Sequence, residues 1–358
     1  MQAAHYYGQK DVRIEDIETR AVGETAVRIE VDACGICGSD LHEYAAGPIS
    51  VPSETPHPLS QETAPVRMGH EFSGTVTEVG TEVVDLEVGD AVVVNPVLSC
   101  GNCRYCRAGE YHTCEAVGFI GLSGGDGGFA ESVVVDTQHV VPLGDDVPIE
   151  HGALVEPLSV GLHAVRRSEV QAGDSVAVFG SGPIGLAVIQ CARAAGAGRI
   201  YVSEPRQARR ERAIACGANE VIDPSSTDAV EYVTTQTDGG ADVTFEVAGV
   251  EASFNAAVQS TKRGGTATVV STSEAEIRTD VNQLVLGERT VTGSLAYLAG
   301  PRSEEEFGRV IDMLADGRLD PEPLVTDRIS LEALVEDGFE QLLDPESEHV
   351  KILVKPNE

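Results

Sequence analysis

The sequence predicts an α/β protein of two domains, a β-rich unit followed by a doubly wound parallel sheet with helices on both faces. Three observations carry this. The chain has 358 residues, more than one compact core holds. Up to about residue 150 it reads as short alternating strands broken by Gly and Pro. From about residue 153 apolar strands alternate with helix-length segments, the rhythm of a parallel sheet.

The first part, 1–152, offers strands such as 26–31, 74–80 and 91–94 in a barrel-like arrangement. The second, 153–295, offers strands at 175–179, 199–203, 219–222, 241–247, 265–271 and 290–295, with helices from Pro183, Arg206, Asp228, Val250 and Val281. Six strands complete a doubly wound sheet. The remainder, 296–358, carries an acidic helix around 304–314 and a closing strand at 350–354, and is expected to return to the first domain. Between 47 and 66, Pro48, Pro52, Pro56, Pro58 and Pro65 break the chain into a loop long enough to be functional. No internal repeat or low-complexity segment is visible.

Charge excludes several partners. The 58 acidic against 25 basic residues give a net charge of -33, spread along the whole chain, which repels nucleic-acid backbones and anionic membranes. No apolar run approaches the roughly 20 residues that cross a bilayer. Residues 1–11 lack the basic-then-apolar order of a signal peptide, so a cytoplasmic location is expected. A surface this acidic suits a high-salt cytoplasm, where screening relieves self-repulsion, and a halophilic source is expected with it.

Four of the eight cysteines crowd into fifteen residues as Cys100-x2-Cys103-x2-Cys106-x7-Cys114. Without an export signal, metal explains them better than disulfides. Gly101 and Gly109 let the backbone fold back around one ion. Tetrahedral zinc needs four soft ligands converging in this way; an iron–sulfur cluster is the alternative, and zinc is preferred because nothing else in the chain suggests one-electron chemistry. A site with all four positions filled is structural, so catalysis lies elsewhere.

A second candidate comes from two segments: Cys34-Gly-Ile-Cys37-Gly38-Ser39-Asp40-Leu41-His42, and Gly69-His70-Glu71 with its histidine 33 residues beyond Cys37. Alone, Cys34-x-x-Cys37 reads equally as a redox pair or half of a zinc knuckle. The strand at 175–179 then runs into Gly180-Ser181-Gly182-Pro183-Ile184-Gly185 and a helix. Strand, glycine turn and helix in this order let a dinucleotide pyrophosphate rest at the helix N-terminus, which makes this the Rossmann fingerprint. Glu204, 24 residues after Gly180, closes the next strand, where a carboxylate accepts both ribose hydroxyls and repels a 2′-phosphate. NAD is therefore expected over NADP, although Arg206, Arg209 and Arg210 offer charge that a phosphate could use.

In this order, and over nearly the whole chain, these segments resemble the zinc-dependent medium-chain alcohol dehydrogenases. The resemblance implies a GroES-like catalytic domain over 1–152 and a Rossmann domain over 153–295. It implies Cys37 and His70 as ligands of a catalytic zinc, with Cys34 a buried bystander, and hence two zinc ions per chain. Where the best-known members supply a second cysteine, this chain has Glu156 in Val155-Glu156-Pro157-Leu158. That departure is similar to the sorbitol and butanediol dehydrogenase branch, in which carboxylates at the positions of Glu71 and Glu156 sit at the metal; which of them binds directly stays open. The family's zinc acidifies an alcohol, and Ser39 and His42 resemble its proton relay to solvent. Lys351 matches a basic position that contacts the cofactor pyrophosphate. The segment Gly47-Pro48-Ile49, Pro56-His57-Pro58-Leu59 and Pro65 to Glu71 is similar to the insert of 2,3-butanediol dehydrogenases, implying a small diol substrate and a hydroxyketone product. Sorbitol and other polyols, threonine and glucose are alternatives. A non-catalytic zinc-containing regulator is the rival class, and the complete ligand and relay set argues against it. Family precedent also implies a homotetramer or homodimer joined through the last strand near 290–295.

Overall fold

A computed structural model describes every residue except 274 and divides the chain into two units. The first comprises Met1–Glu156, Leu298–Ala315 and Val325–Glu358, the second Pro157–Tyr297 and Asp316–Leu324. Residues 316–324, expected with the rest of the C-terminal segment, group instead with the second unit. Gln190 exchanges two hydrogen bonds of 2.7 Å with the backbone of Asp320, and Arg212 donates to the Pro323 carbonyl at 2.8 Å.

In the first unit, strands lie in the order Val140–Pro142, Ala91–Val94, Glu71–Val79, Ala26–Gly35, Lys351–Lys355 and Val325–Ser330, with Ser132–Asp136 also paired to Ala26–Gly35. The period-two pattern read in the sequence is what builds this sheet: Val27, Ile29, Val31 and Ala33 are fully buried while Glu30 faces out. The side chains of Val27, Ile29 and Val31 join Phe72, Phe129, Phe339 and Ile352 in one core. The C-terminal strand enters the sheet antiparallel to Ala26–Gly35, with Leu353 opposite Gly35, and Gly35 in turn lies opposite Glu71. Residues far apart in sequence, Gly35, Glu71 and Lys351, therefore meet at one end of three adjacent strands.

In the second unit, six parallel strands run Glu220–Ile222, Arg199–Ser203, Ser175–Phe179, Ala241–Glu246, Thr261–Val269 and Thr290–Gly293. This is the 3-2-1-4-5-6 order of a complete doubly wound sheet. Val176, Val178, Ile200, Val202 and Phe245 are fully buried, as strands covered on both faces require. Helices Pro183–Ala194, Gln207–Ala215, Ala229–Gln236 and Glu251–Ser260 start within one residue of the expected positions. Two elements differ. The fifth strand begins at Thr261, not 265, because Thr261 already pairs with Ala241 before a register shift. The helix expected from Val281 is a single turn, Asn282–Val285, since Gly287 follows almost at once. Among the described residues no helix is long and apolar enough to cross a membrane.

Candidate active site and metal centres

The four-cysteine lobe forms as the spacing predicts. Gly101 and Gly109 take left-handed backbone angles, φ of +69° and +83°, so the chain doubles back. All four sulfurs lie within 4.8 Å of one another, with Cys100–Cys106 at 3.9 Å and Cys103–Cys106 at 3.6 Å. Sulfurs arranged tetrahedrally at about 2.3 Å from one ion stand about 3.8 Å apart, so the cage fits a single zinc and leaves no room for several irons. Backbone N–H groups point at the sulfurs: Cys103 to Cys100 Sγ at 3.3 Å, Cys100 and Ala116 to Cys114 Sγ at 3.3 Å each. Such donors from Cys106 and Glu115 pull the Cys103 thiol down to about 6, whereas burial pushes Cys106 up to about 12. A divalent ion removes that conflict by letting every thiolate form.

The second centre is assembled at one edge of the first unit. Cys37 precedes helix Gly38–Ala46, and Asp40 in its first turn accepts the Cys37 N–H at 2.9 Å. His70 and Glu71 arrive at the start of strand Glu71–Val79, with Gly69 at φ +95° turning the chain into it. Ligand atoms of Cys37, His70 and Glu71 all lie within 4.8 Å of one another. The other Asp40 oxygen faces His70 Nδ1 at 3.6 Å, and Asp40 is fully buried. Burial opposes charge on the His70 ring, but Asp40 and Cys37 outweigh it and hold its pKa well above the ordinary value. The surroundings thus favour a cation at this spot, and a thiolate, an imidazole and a carboxylate are the donors a catalytic zinc takes. Cys34 is fully buried, with its thiol pushed up chiefly by burial, and stays outside the group.

Ser39 Oγ lies 3.3 Å from His70 Nε2, half-buried, and His42 sits one turn further along the same helix, exposed. Glu156 occupies the first turn of helix Val155–Ser168 at 7% exposure and acts electrostatically on Lys351. Lys351, expected on the cofactor pyrophosphate, lies buried beside Glu71 in the first unit. It is 1% exposed, and its ammonium donates to Glu71 Oε1 at 2.8 Å, Glu71 Oε2 at 2.6 Å and the Ile36 carbonyl at 2.7 Å. Burial disfavours that charge, yet Glu71 and Cys37 hold its pKa above the ordinary lysine value.

In the second unit, Gly180 at φ +104° makes the turn, Gly182 precedes the helix and Pro183 occupies its first residue. A methyl group on Gly185 would come within 2.3 Å of the Gly180 carbonyl oxygen, so only glycine lets helix and turn meet. Ile184 follows Pro183 in the first helical turn. Glu204, 3% exposed, accepts the Ser181 N–H at 2.9 Å on one oxygen and the Arg206 N–H at 2.9 Å on the other. It ties the glycine turn to the following helix and, with Oε2 also accepting the Ser181 hydroxyl at 3.3 Å, retains an acceptor position on Oε1.

Two residues escaped the sequence reading. Asp40 was visible as a capping acid three residues after Cys37. Arg209, read only as possible phosphate-neutralising charge, lies with its guanidinium 3.7 Å from where a methyl on Gly182 would stand, and its buried Nε has no hydrogen-bond partner.

Residues 23–145 match the alcohol dehydrogenase GroES-like domain, and residues 183–316 match the zinc-binding dehydrogenase model. The (R,R)-butanediol dehydrogenase of Bacillus subtilis is 46% identical over 358 residues, 100% of both chains. That of Neisseria gonorrhoeae is 40% identical, again over 100% of both. The crystal structure of 2R,3R-butanediol dehydrogenase from Bacillus subtilis superposes with a TM-score of 0.92 at 46% identity, covering 99% of each chain.

Proposed function

The chain belongs to the zinc-binding alcohol dehydrogenase family, and from that premise we propose that it interconverts 2,3-butanediol and acetoin, with NAD taking or giving the hydride. The observation that carries this is the buried group of Cys37, His70 and Glu71 with Asp40 behind it. Cys37, His70 and Glu71 would hold the catalytic ion, and the four cysteines the structural one. Bound zinc supplies Lewis acidity that eases loss of a proton from an alcohol.

The protein's own groups do the rest. Asp40, its carboxylate 3.6 Å from Nδ1, favours the His70 tautomer protonated on that side and leaves Nε2 for the ion. Ser39 Oγ, 3.3 Å from His70 Nε2, accepts the substrate proton, and exposed His42 passes it to solvent. The glycine turn and the N-terminus of Pro183–Ala194 bind the pyrophosphate, Glu204 the adenosine ribose, and Arg209 lies beside them. An anionic Glu204 supports NAD over NADP. Relatives at 46% and 40% identity over their full lengths, both (R,R)-butanediol dehydrogenases, support the diol.

Two coarser features go with this reading. The edge strand Thr290–Gly293 is the last of its sheet, and Val285, Leu286 and Leu295 nearby are 67%, 69% and 47% exposed, which supports pairing with a second copy of the chain. The charge of -33 supports a salt-rich cytoplasm, and the lack of any disulfide among the described cysteines suits a reducing compartment.

The test is NAD reduction followed by absorbance with the butanediol stereoisomers, sorbitol, threonine and glucose, before and after chelation. Chelator-sensitive turnover of one butanediol isomer is expected. Turnover of sorbitol, threonine or glucose alone would keep the zinc chemistry and discard the diol.

A further inference from the structure

Helix Gly38–Ala46 carries more buried acid than the metal centre uses. Asp40 faces His70, but Glu43, one turn beyond Ser39 on the same helix, is 1% exposed and is engaged elsewhere. Its carboxylate accepts three consecutive backbone N–H groups: Ile49 at 2.9 Å on Oε2, and Ser50 and Val51, the latter at 3.1 Å, on Oε1. Its own backbone carbonyl accepts the Gly47 N–H at 2.9 Å and the Tyr6 hydroxyl at 3.1 Å. A carboxylate tolerates such burial only where donors surround it. Here all three donors to the carboxylate come from the segment that follows the helix.

That segment opens the proline-rich loop. Pro48, Ile49 and Ser50 are exposed, Ile49 at 60%, and form no strand, whereas Val51 belongs to the first unit's core with Tyr6, Tyr44, Val66 and Met68. The loop closes on itself where Ala64 donates to the Pro52 carbonyl at 2.7 Å. Its returning leg is held as a strand, Val66 and Arg67 pairing with Tyr6 and His5, and runs on into Gly69, His70 and Glu71. Its outgoing leg has the Glu43 carboxylate instead. A methyl group on Gly47 would come within 2.5 Å of the Glu43 carbonyl oxygen, of Glu43 Oε2 and of the Tyr6 hydroxyl, so glycine is what lets the chain pass this close to the helix.

We infer that Glu43 is a positioning residue for the diol: it ties the outgoing leg of the proline-rich loop to the helix that carries Ser39 and His42, and so fixes the wall that distinguishes one butanediol stereoisomer from another. This rests on the butanediol reading proposed above. Residues four apart on a helix are neighbours, about 5–6 Å between their Cβ atoms, so the tethered segment is anchored one turn from the hydroxyl that takes the substrate proton. Once the reacting hydroxyl of a diol is held, its isomers differ in where the second hydroxyl and the methyl groups fall. Sorting them needs a wall fixed to within about 0.5 Å. Three hydrogen bonds to one buried, charged acceptor supply that stiffness to a segment otherwise open to solvent.

The test uses the full-length, zinc-loaded protein as wild type and as Glu43→Gln, with the (R,R), (S,S) and meso isomers of 2,3-butanediol. The carboxamide keeps one oxygen for the segment but sets an N–H2 group against its remaining N–H donors. In Glu43→Gln, kcat/KM for the preferred isomer should fall at least about tenfold, since a misplacement of about 1 Å costs about 100-fold. The ratio between isomers should shrink toward one, while zinc per chain and KM for NAD stay at their wild-type values. A merely structural glutamate would lower Tm and slow all isomers alike, so an unchanged isomer ratio overturns the inference. Should Glu43→Gln fail to fold, amide hydrogen exchange on the wild type decides. The Ile49, Ser50 and Val51 amides should exchange slowly although Ile49 and Ser50 are exposed, and rapid exchange overturns the tether. A wild type that turns over no butanediol isomer would instead defeat the diol reading itself.

Discussion

Asp40→Asn tests the metal centre where the geometry is most exacting. Asp40 is fully buried and makes two contacts, the Cys37 N–H at 2.9 Å and His70 Nδ1 at 3.6 Å. The carboxamide keeps an oxygen for Cys37, so the helix start survives. Its other end becomes an N–H2 group facing Nδ1, and two donors then oppose each other whenever His70 is in the tautomer that offers Nε2 to an ion. Loss of such a partner typically lowers metal affinity or activity about 10- to 100-fold, or about 1.4 to 2.7 kcal/mol. Asp40→Ala should cost about 1 kcal/mol more in folding stability, because it also strands the partly buried Cys37 N–H. Zinc per chain after dialysis against a chelator, kcat/KM and Tm separate the two effects. Asp40→Asn should lose zinc and activity with a small change in Tm. Unchanged zinc retention and kcat/KM would refute the argument that Asp40 acts through His70.

Cys106→Ser should remove the ion of the four-cysteine lobe and lower Tm while the Cys37 site keeps its metal; zinc analysis beside calorimetry checks this, and a full zinc complement would contradict it. Glu204→Gln should raise KM for NAD about tenfold or more and improve use of NADP, since charged hydrogen bonds to the ribose are worth about 1.5 to 3 kcal/mol each. An unaltered ratio of kcat/KM for the two nucleotides would count against Glu204 as the selector. With a net charge of -33, Tm should climb steeply as KCl is raised from low to molar concentration, and a flat salt profile would remove the case for a high-salt habitat.

What the sequence discloses tracks how local the physics is. The glycine turn at Gly180 to Gly185 was legible because strand, turn and helix are contiguous, and the φ of +104° at Gly180 is a property of that residue and its neighbours. The four-cysteine lobe was legible for the same reason, its ligands lying within fifteen residues. Cys37 and His70 are 33 residues apart, and only the likeness to a family joined them before the structure brought them within 4.8 Å. Lys351 shows where such reading stops. Its partner Glu71 is 280 positions away in sequence, and the contact depends on which strand the C-terminus chooses to lie beside. That choice is set by packing of Ile352 and Val354 into the first unit's core, which no window of sequence contains.

The same reasoning bears on the question the sequence left open, which carboxylate meets the metal. Glu71 begins a strand whose neighbour, Gly35, has no side chain, so its carboxylate can turn toward Cys37 and His70 while still reaching Lys351. Glu156 lies in the first turn of a helix, near enough to be felt by Lys351. A group of three donors would leave a tetrahedral ion one open position, whereas four donors close it as in the cysteine lobe. Glu71 is thus the carboxylate whose oxygen stands within 4.8 Å of the Cys37 and His70 donor atoms, and Glu156 adds negative charge that Lys351 feels.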